Sequence, residues 1–188
     1  MKYLIACLGN VGPEYEDTRH NVGFKVADTL AAAAGLRFSV GRYGSLAELH
    51  HRGRTLILLK PSTYMNLSGK AVSYWLQAEK IPAEKLLVVL DDLNLPFGRL
   101  RMRGGGSDGG HNGLKNIALT LGNENYARLR CGVGSDFGRG QQIDFVLGEW
   151  TDDERKRLPD YLDKAADAVK TFATVGLERA MNLVNTAK

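Results

Sequence analysis

The chain has 188 residues, 44% of them hydrophobic and 24% charged. That length suits one domain, because a single core usually serves ~100–200 residues, and the apolar fraction excludes disorder as the global state. Twenty-five Lys and Arg against 21 Asp and Glu leave a net charge of +4, which permits a phosphate-bearing partner without requiring one.

Tyr3 to Leu8 is a continuous apolar run that stops at Gly9-Asn10, and it predicts a buried first strand. The same run is too short for a secretory core or a membrane span, so a cytosolic protein without a membrane partner is expected. Asn21 is placed to cap a helix from Val22 to Ala34, with Phe24, Val26, Ala27 and Leu30 inward and Gly35 as its stop. Leu46 to Leu49 and Thr55 to Leu59 flank Arg52-Gly53-Arg54, the pattern of a β-hairpin. A second helix is predicted from Ser68 to Lys80, ended by Pro82. Leu86 to Leu90 reads as another buried strand with Asp91-Asp92 at its carboxyl end.

Leu100 to Arg103 predicts a strand, and the glycine-dense segment Gly104 to Gly113 follows it. A helix from Leu114 to Leu121 and a strand from Ala127 to Val133 come next. Beyond a polar loop, Asp152 is placed to cap a long amphipathic helix that ends near Thr174, and Gly176 separates it from a last helix, Leu177 to Val184. Strands alternating with helices, interrupted by one hairpin, predict a single α/β layered domain over 1–188 with a mixed, mostly parallel sheet flanked by helices. Cys7 and Cys131 each sit in a strand-like run without CxxC or Cys/His spacing, which suits two buried thiols in a reduced compartment. No long apolar edge or heptad seam is visible, so a monomer is expected.

Open α/β sheets bind ligands at the carboxyl ends of their strands. Asn10, Asp91 and Asn66 collect at such ends, and His20, just before the first helix, reaches the same mouth. A histidine beside an oriented carboxylate is the minimal general-base pair, because the carboxylate fixes the tautomer and stabilises the imidazolium. His50 and His51 are adjacent and face opposite sides of a strand, and none of the four histidines has HxxxH or HExxH spacing. No metal and no cofactor are expected.

The glycine-dense segment matches two short patterns at once: Gly104, Gly106 and Gly109 fit GxGxxG, while Gly105, Ser107 and Gly109 fit GxSxG. A dinucleotide site would place the first in the opening βα turn, and a nucleophile elbow would place a strand directly before Ser107. Neither context is present. Charge is more informative: Arg99, Arg101 and Arg103 alternate with Leu100 and Met102, so an extended strand puts the three guanidinium groups on one face. Arg128 and Arg130 repeat the alternation, and Lys115 starts the helix after the glycine segment. The cluster is either a solvated face or a phosphate-binding surface, with Tyr15 and Tyr64 available to stack on a base or sugar.

Longer blocks are more specific. LGNVGPEYEDTRHNVGF (Leu8 to Phe24), KPSTYMNLSGKAV (Lys60 to Val72), VVLDDLNLPFGRLRMR (Val88 to Arg103) and GGHNGLKNI (Gly109 to Ile117) resemble the bacterial-type peptidyl-tRNA hydrolases, as do RLRCGVG, FVLG and the late AMN. The resemblance covers nearly the whole chain. It implies an enzyme that hydrolyses the ester joining a peptide to the 3′ end of tRNA, freeing the tRNA for translation. By that resemblance His20 is the general base, Asp91 orients it, and Asn10 contacts the peptide and helps orient the attack. Asn66 and Asn112 would hydrogen-bond the substrate near the ester, Tyr15 and Tyr64 would line the nucleotide and peptide site, and Arg103 and Arg130 would clamp the tRNA 5′ phosphate, with Arg101 and Lys115 on the same basic face.

Elementary chemistry agrees with that expectation. A ribose hydroxyl is a good leaving group, so a water–His–Asp relay suffices without a protein nucleophile; general-base catalysis contributes ~10²–10⁴-fold, and donors on the oxyanion add a similar factor. The chain departs from the family pattern at Val11 (commonly Pro), at Leu90 (commonly His), at Arg103 (commonly Lys) and at Asp108, an acid close to the expected phosphate path. Two other readings belong to different classes: an RNA- or tRNA-binding module that has lost catalysis, and a serine hydrolase using Ser107.

Overall fold

The structure is a computed structural model and describes residues 1–187. Seven strands, β1 (Lys2–Cys7), β2 (Ser39–Gly41), β3 (Gly44–His51), β4 (Arg54–Pro61), β5 (Leu86–Asp92), β6 (Leu100–Arg103) and β7 (Ala127–Gly132), form one sheet in the order β2-β3-β4-β1-β5-β7-β6. The central strands β4, β1, β5 and β7 are parallel; β3 and β6 run against them. Five of the six α-helices among the described residues pack on the sheet, α1 (Val22–Ala33), α2 (Ser68–Ala78), α3 (Asn112–Leu121), α5 (Asp152–Val175) and α6 (Leu177–Thr186), while the short α4 (Gln142–Val146) lies against the turn that precedes α1.

The strand period separates two cores. On β1, Tyr3, Ile5 and Cys7 face one layer with α1, α5 and α6, while Leu4, Ala6 and, just past the strand, Leu8 face the layer of α2 and α3. A strand buried on both faces reads as an uninterrupted apolar run, which is why β1 and β5 were legible as such. The mixed, mostly parallel sheet flanked by helices matches the expected class. Cys7 and Cys131 are free and buried, and burial pushes both thiols up. Among the described residues no helix is long and apolar enough to cross a membrane.

The differences lie at caps and short elements. Asn21 precedes α1 without capping it; its side chain is spent on Asn10. Thr151, not Asp152, caps α5, because its hydroxyl accepts from the Glu154 N–H while the Glu154 carboxylate accepts from the Thr151 N–H. The third helix starts at Asn112, two residues before the expected Leu114, since His111 supplies the cap. Strand β2 and helix α4 were not expected at all. Arg128, expected on a shared cationic face with its neighbours, is buried at 1% exposure under the glycine segment.

Candidate active site

The strand order reverses about β1, which has β4 on one side and β5 on the other. At such a reversal the connections leave in opposite directions and open a crevice beyond the strands' carboxyl ends. The cleft found there holds about 400 Å³ and is lined by Asn10, His20, Tyr64, Met65, Asn66, Asp91, His111, Asn112 and Arg130, with Phe137, Ile143, Val146 and Leu147 forming an apolar wall.

Asp91 closes β5 and lies at the centre, only 4% exposed. One carboxylate oxygen accepts from His20 Nδ1 at 2.8 Å and the other from His111 Nε2 at 2.7 Å. Burial by itself would favour the neutral acid. The two imidazoles outweigh it and hold Asp91 well below the usual carboxylate range.

His20 sits in a short 3-10 turn, Arg19–Asn21, at the entrance to α1. Gly23 lets that helix approach the sheet: a Cβ there would stand 2.5 Å from the Leu8 carbonyl oxygen. The turn is tethered from the far side as well, because the Arg19 guanidinium donates to the Phe145 carbonyl at 3.1 Å and to Glu154 at 3.0 Å. An ionised carboxylate only accepts, so His20 Nδ1 carries a proton and, in the neutral ring, Nε2 holds the lone pair. Burial disfavours the imidazolium, but the Asp91 charge and hydrogen bond prevail, and the His20 pKa lies above that of an ordinary histidine.

His111 meets the same carboxylate in the opposite state. Its Nδ1 accepts from the Gly113 N–H at 3.1 Å and from the Leu114 N–H at 3.4 Å, capping α3. Nε2 must therefore carry the proton given to Asp91. Ligand atoms of His20, Asp91 and His111 lie within 4.8 Å of one another, a set of metal-binding type. Their facing atoms are already paired as donor and acceptor, and a metal would have to displace those protons and uncap α3.

Asn10 is oriented with equal definition. Its Oδ1 accepts from the Met65 N–H at 2.7 Å, its backbone N–H donates to Asn21 Oδ1, and its carbonyl accepts from Asn21 Nδ2. The amide NH₂ of Asn10 is what remains for the cleft. Met65 presents its N–H because Tyr64 holds φ +60° and ψ 158°, a conformation nearly reserved for glycine that costs about 1–3 kcal/mol. Such strain persists where surrounding structure imposes it, and here it closes the Asn10 contact.

The expected residues thus divide. Asn10, His20, Tyr64, Asn66, Asp91, Asn112 and Arg130 meet in the cleft. Tyr15 is half-buried in the turn after Gly12 and is not among the lining residues, and Arg101, Arg103 and Lys115 stand outside the cleft. Arg101 pairs with Arg130 across β6 and β7, and Arg103 with Arg128, so four arginines share one face. Leu90 lies in the α2–α3 core, and Asp108 serves a turn, its carboxylate accepting from the Gly110 N–H.

His111, Met65 and the apolar wall were missed. The signal for the wall was the i, i+3, i+4 spacing of Ile143, Val146 and Leu147 inside a loop judged polar. For His111 it was the position directly before a predicted helix.

Comparison with known proteins gives one answer. The family model described as peptidyl-tRNA hydrolase matches residues 4–188. A peptidyl-tRNA hydrolase of Cytophaga hutchinsonii is 61% identical over 188 residues, covering all of both chains. One from Phocaeicola vulgatus is 60% identical over 185 residues, covering 98% of this chain and 99% of its own. The crystal structure of peptidyl-tRNA hydrolase from Acinetobacter baumannii superposes with a TM-score of 0.91 at 34% identity, over 99% of this chain and 95% of that one. With the family model spanning the chain and close relatives matched end to end, the chain belongs to the peptidyl-tRNA hydrolase family.

Proposed function

We propose that His20 is the general base with which this member of the family hydrolyses the ester of peptidyl-tRNA. The observation that carries it is the asymmetric pair on Asp91: among the described residues His20 lines the cleft with only Nδ1 hydrogen-bonded, whereas His111 has both ring nitrogens in use. A water beside His20 Nε2 gives up its proton as its oxygen attacks the ester carbonyl carbon. The tetrahedral oxyanion is met by the free NH₂ of Asn10, and such a donor is worth ~10²–10³ in rate. Collapse breaks the bond to the ribose oxygen, which leaves with the proton returned from the imidazolium. Asp91 stays ionised throughout and stabilises the charged ring.

Asn66 and Asn112, exposed at the rim, each offer a donor and an acceptor for the amide that distinguishes peptidyl from free aminoacyl ester. The α4 wall takes apolar side chains of the peptide, and Tyr64, 55% exposed, suits stacking with the terminal nucleotide. Arg103 and Arg130, with Arg101 and Lys115 beside them, receive the 5′ phosphate and acceptor stem. Arg130 is itself paired with Asp92 at 3.8 Å, so the free positive charge of this face comes from Arg101, Arg103 and Lys115, none of which forms a salt bridge among the described residues. The Ser107 reading lacks a base, since among the described residues no hydrogen bond joins that hydroxyl to an imidazole and Ser107 does not line the cleft.

Single-turnover cleavage of an N-acetyl-aminoacyl-tRNA tests the assignment. Cleavage is expected to fall by about 10³-fold in His20→Ala and to stay within about twofold of wild type in Ser107→Ala. The reverse pattern would move the chemistry to the serine, and tRNA binding by the wild-type protein without cleavage would favour the inactive binding module.

A further inference from the structure

Arg128 is the largest fully buried side chain, at 1% exposure, and among the described residues no carboxylate forms a salt bridge with it. Such a cation is tolerated only when its protons are satisfied, and here carbonyl oxygens do this. Nη1 donates to Gly106 at 3.0 Å and to Ser107 at 3.4 Å; Nη2 donates to Glu124 at 2.7 Å and to Tyr126 at 3.3 Å. The Tyr126 ring lies 4.3 Å beneath the guanidinium carbon. One planar fork therefore joins two segments that share no ladder: the glycine loop between β6 and α3, and the turn before β7.

What the fork holds leads directly to the site. Beyond Ser107, the Asp108 carbonyl accepts from the His111 N–H at 3.0 Å and the Asp108 carboxylate from the Gly110 N–H. His111 then caps α3 and donates to Asp91. Arg130, two residues along the same face, donates to the same Ser107 carbonyl at 2.8 Å. We propose that Arg128 is a positioning residue for hydrolysis, fixing the Gly106–Ser107 backbone so that His111 stays registered on Asp91. The proposal rests on the Asp91–His20 reading above. It also gives the Gly106 and Ser107 carbonyls of the glycine-dense segment a role as ligands for an arginine.

Arg128→Lys keeps the charge but replaces a planar fork with a point donor that cannot serve all four carbonyls. We expect kcat to fall about tenfold, with KM and its salt dependence within about twofold of wild type. In a His111→Ala background the same substitution should cost less than twofold, because the route it acts through is already cut. Gly106→Ala provides a second variant that leaves Arg128 in place: Gly106 has φ +117°, and an added Cβ meets nothing within 4 Å. It should show a smaller kcat loss with the same dependence on His111.

Hydrogen exchange of a peptide covering 104–113 supplies a readout independent of activity, and should quicken about tenfold in Arg128→Lys while the β1 and β5 amides stay protected. Equal kcat losses in both backgrounds, a flattened salt slope, or unchanged exchange in the loop would overturn the proposal. Absence of cleavage by the wild-type protein would instead overturn the hydrolytic reading, leaving the exchange result to judge the loop.

Discussion

Two shoulders of the cleft each deliver a histidine to Asp91, and they differ in what the second ring nitrogen does. On the α1 shoulder a short turn presents His20 with Nε2 open to the cleft; on the α3 shoulder the N-terminus of the helix consumes His111 Nδ1. Residue type and carboxylate are shared, so the role of each ring is set by its backbone surroundings. In the proposed mechanism His20 gains and loses a proton during turnover. His111 has both ring nitrogens engaged, by Asp91 and by the start of α3, and in the proposed mechanism it holds the carboxylate still.

That contrast is broken most severely at His20, where the loss of about 10³-fold given above removes the base itself. Asp91→Asn comes next, with an expected loss of about 10²-fold in kcat, because the imidazolium formed in the transition state loses its charged partner. The same variant moves the acidic limb of the pH–rate profile. The proposed mechanism requires neutral His20, whose pKa Asp91 raises, so rate is expected to climb as pH rises through that raised value. Removing the carboxylate charge lowers the pKa and shifts the limb to lower pH. His111→Ala is expected to cost only about tenfold in kcat, and about 1–3 kcal/mol of stability through the lost cap and the lost bond to Asp91. A loss as large as that of His20→Ala would mean that His111 also transfers a proton.

The smallest effect lies farthest from the pair. Arg103→Ala should raise KM several-fold and lower the slope of log KM against log salt by about one, leaving single-turnover cleavage at saturation unchanged. An unaltered slope would make Arg103 a solvated side chain opposite Arg128 and nothing more.

How far the site was legible follows from what carries each signal. Asn10 and Asp91 stand where apolar runs stop, and a buried strand of a parallel sheet announces its carboxyl end in the sequence alone. His20 was readable by its short distance from Asn10. The lock on His111 was not, because it depends on Asp91 twenty residues upstream and on where α3 begins. Alternation placed Arg128 and Arg130 on one face correctly, but period alone cannot say whether a loop returns to cover that face. The covering loop lies 22 residues upstream of Arg128. Strand β2 was hidden for another reason: it is three residues long, Val40 is 94% exposed, and only pairing with β3 defines it.

The central claim is that Asp91 raises the proton affinity of His20 and that this one ionisation governs cleavage. The pH dependence of single-turnover kcat/KM, measured for wild type and Asp91→Asn on one N-blocked aminoacyl-tRNA, tests it directly. The account predicts one acidic limb in the wild type, lying above the ordinary histidine value of about 6.5, and a downward shift of that limb in the variant. A wild-type limb in the carboxylate range, or a limb that stays in place when the Asp91 charge is removed, would contradict it.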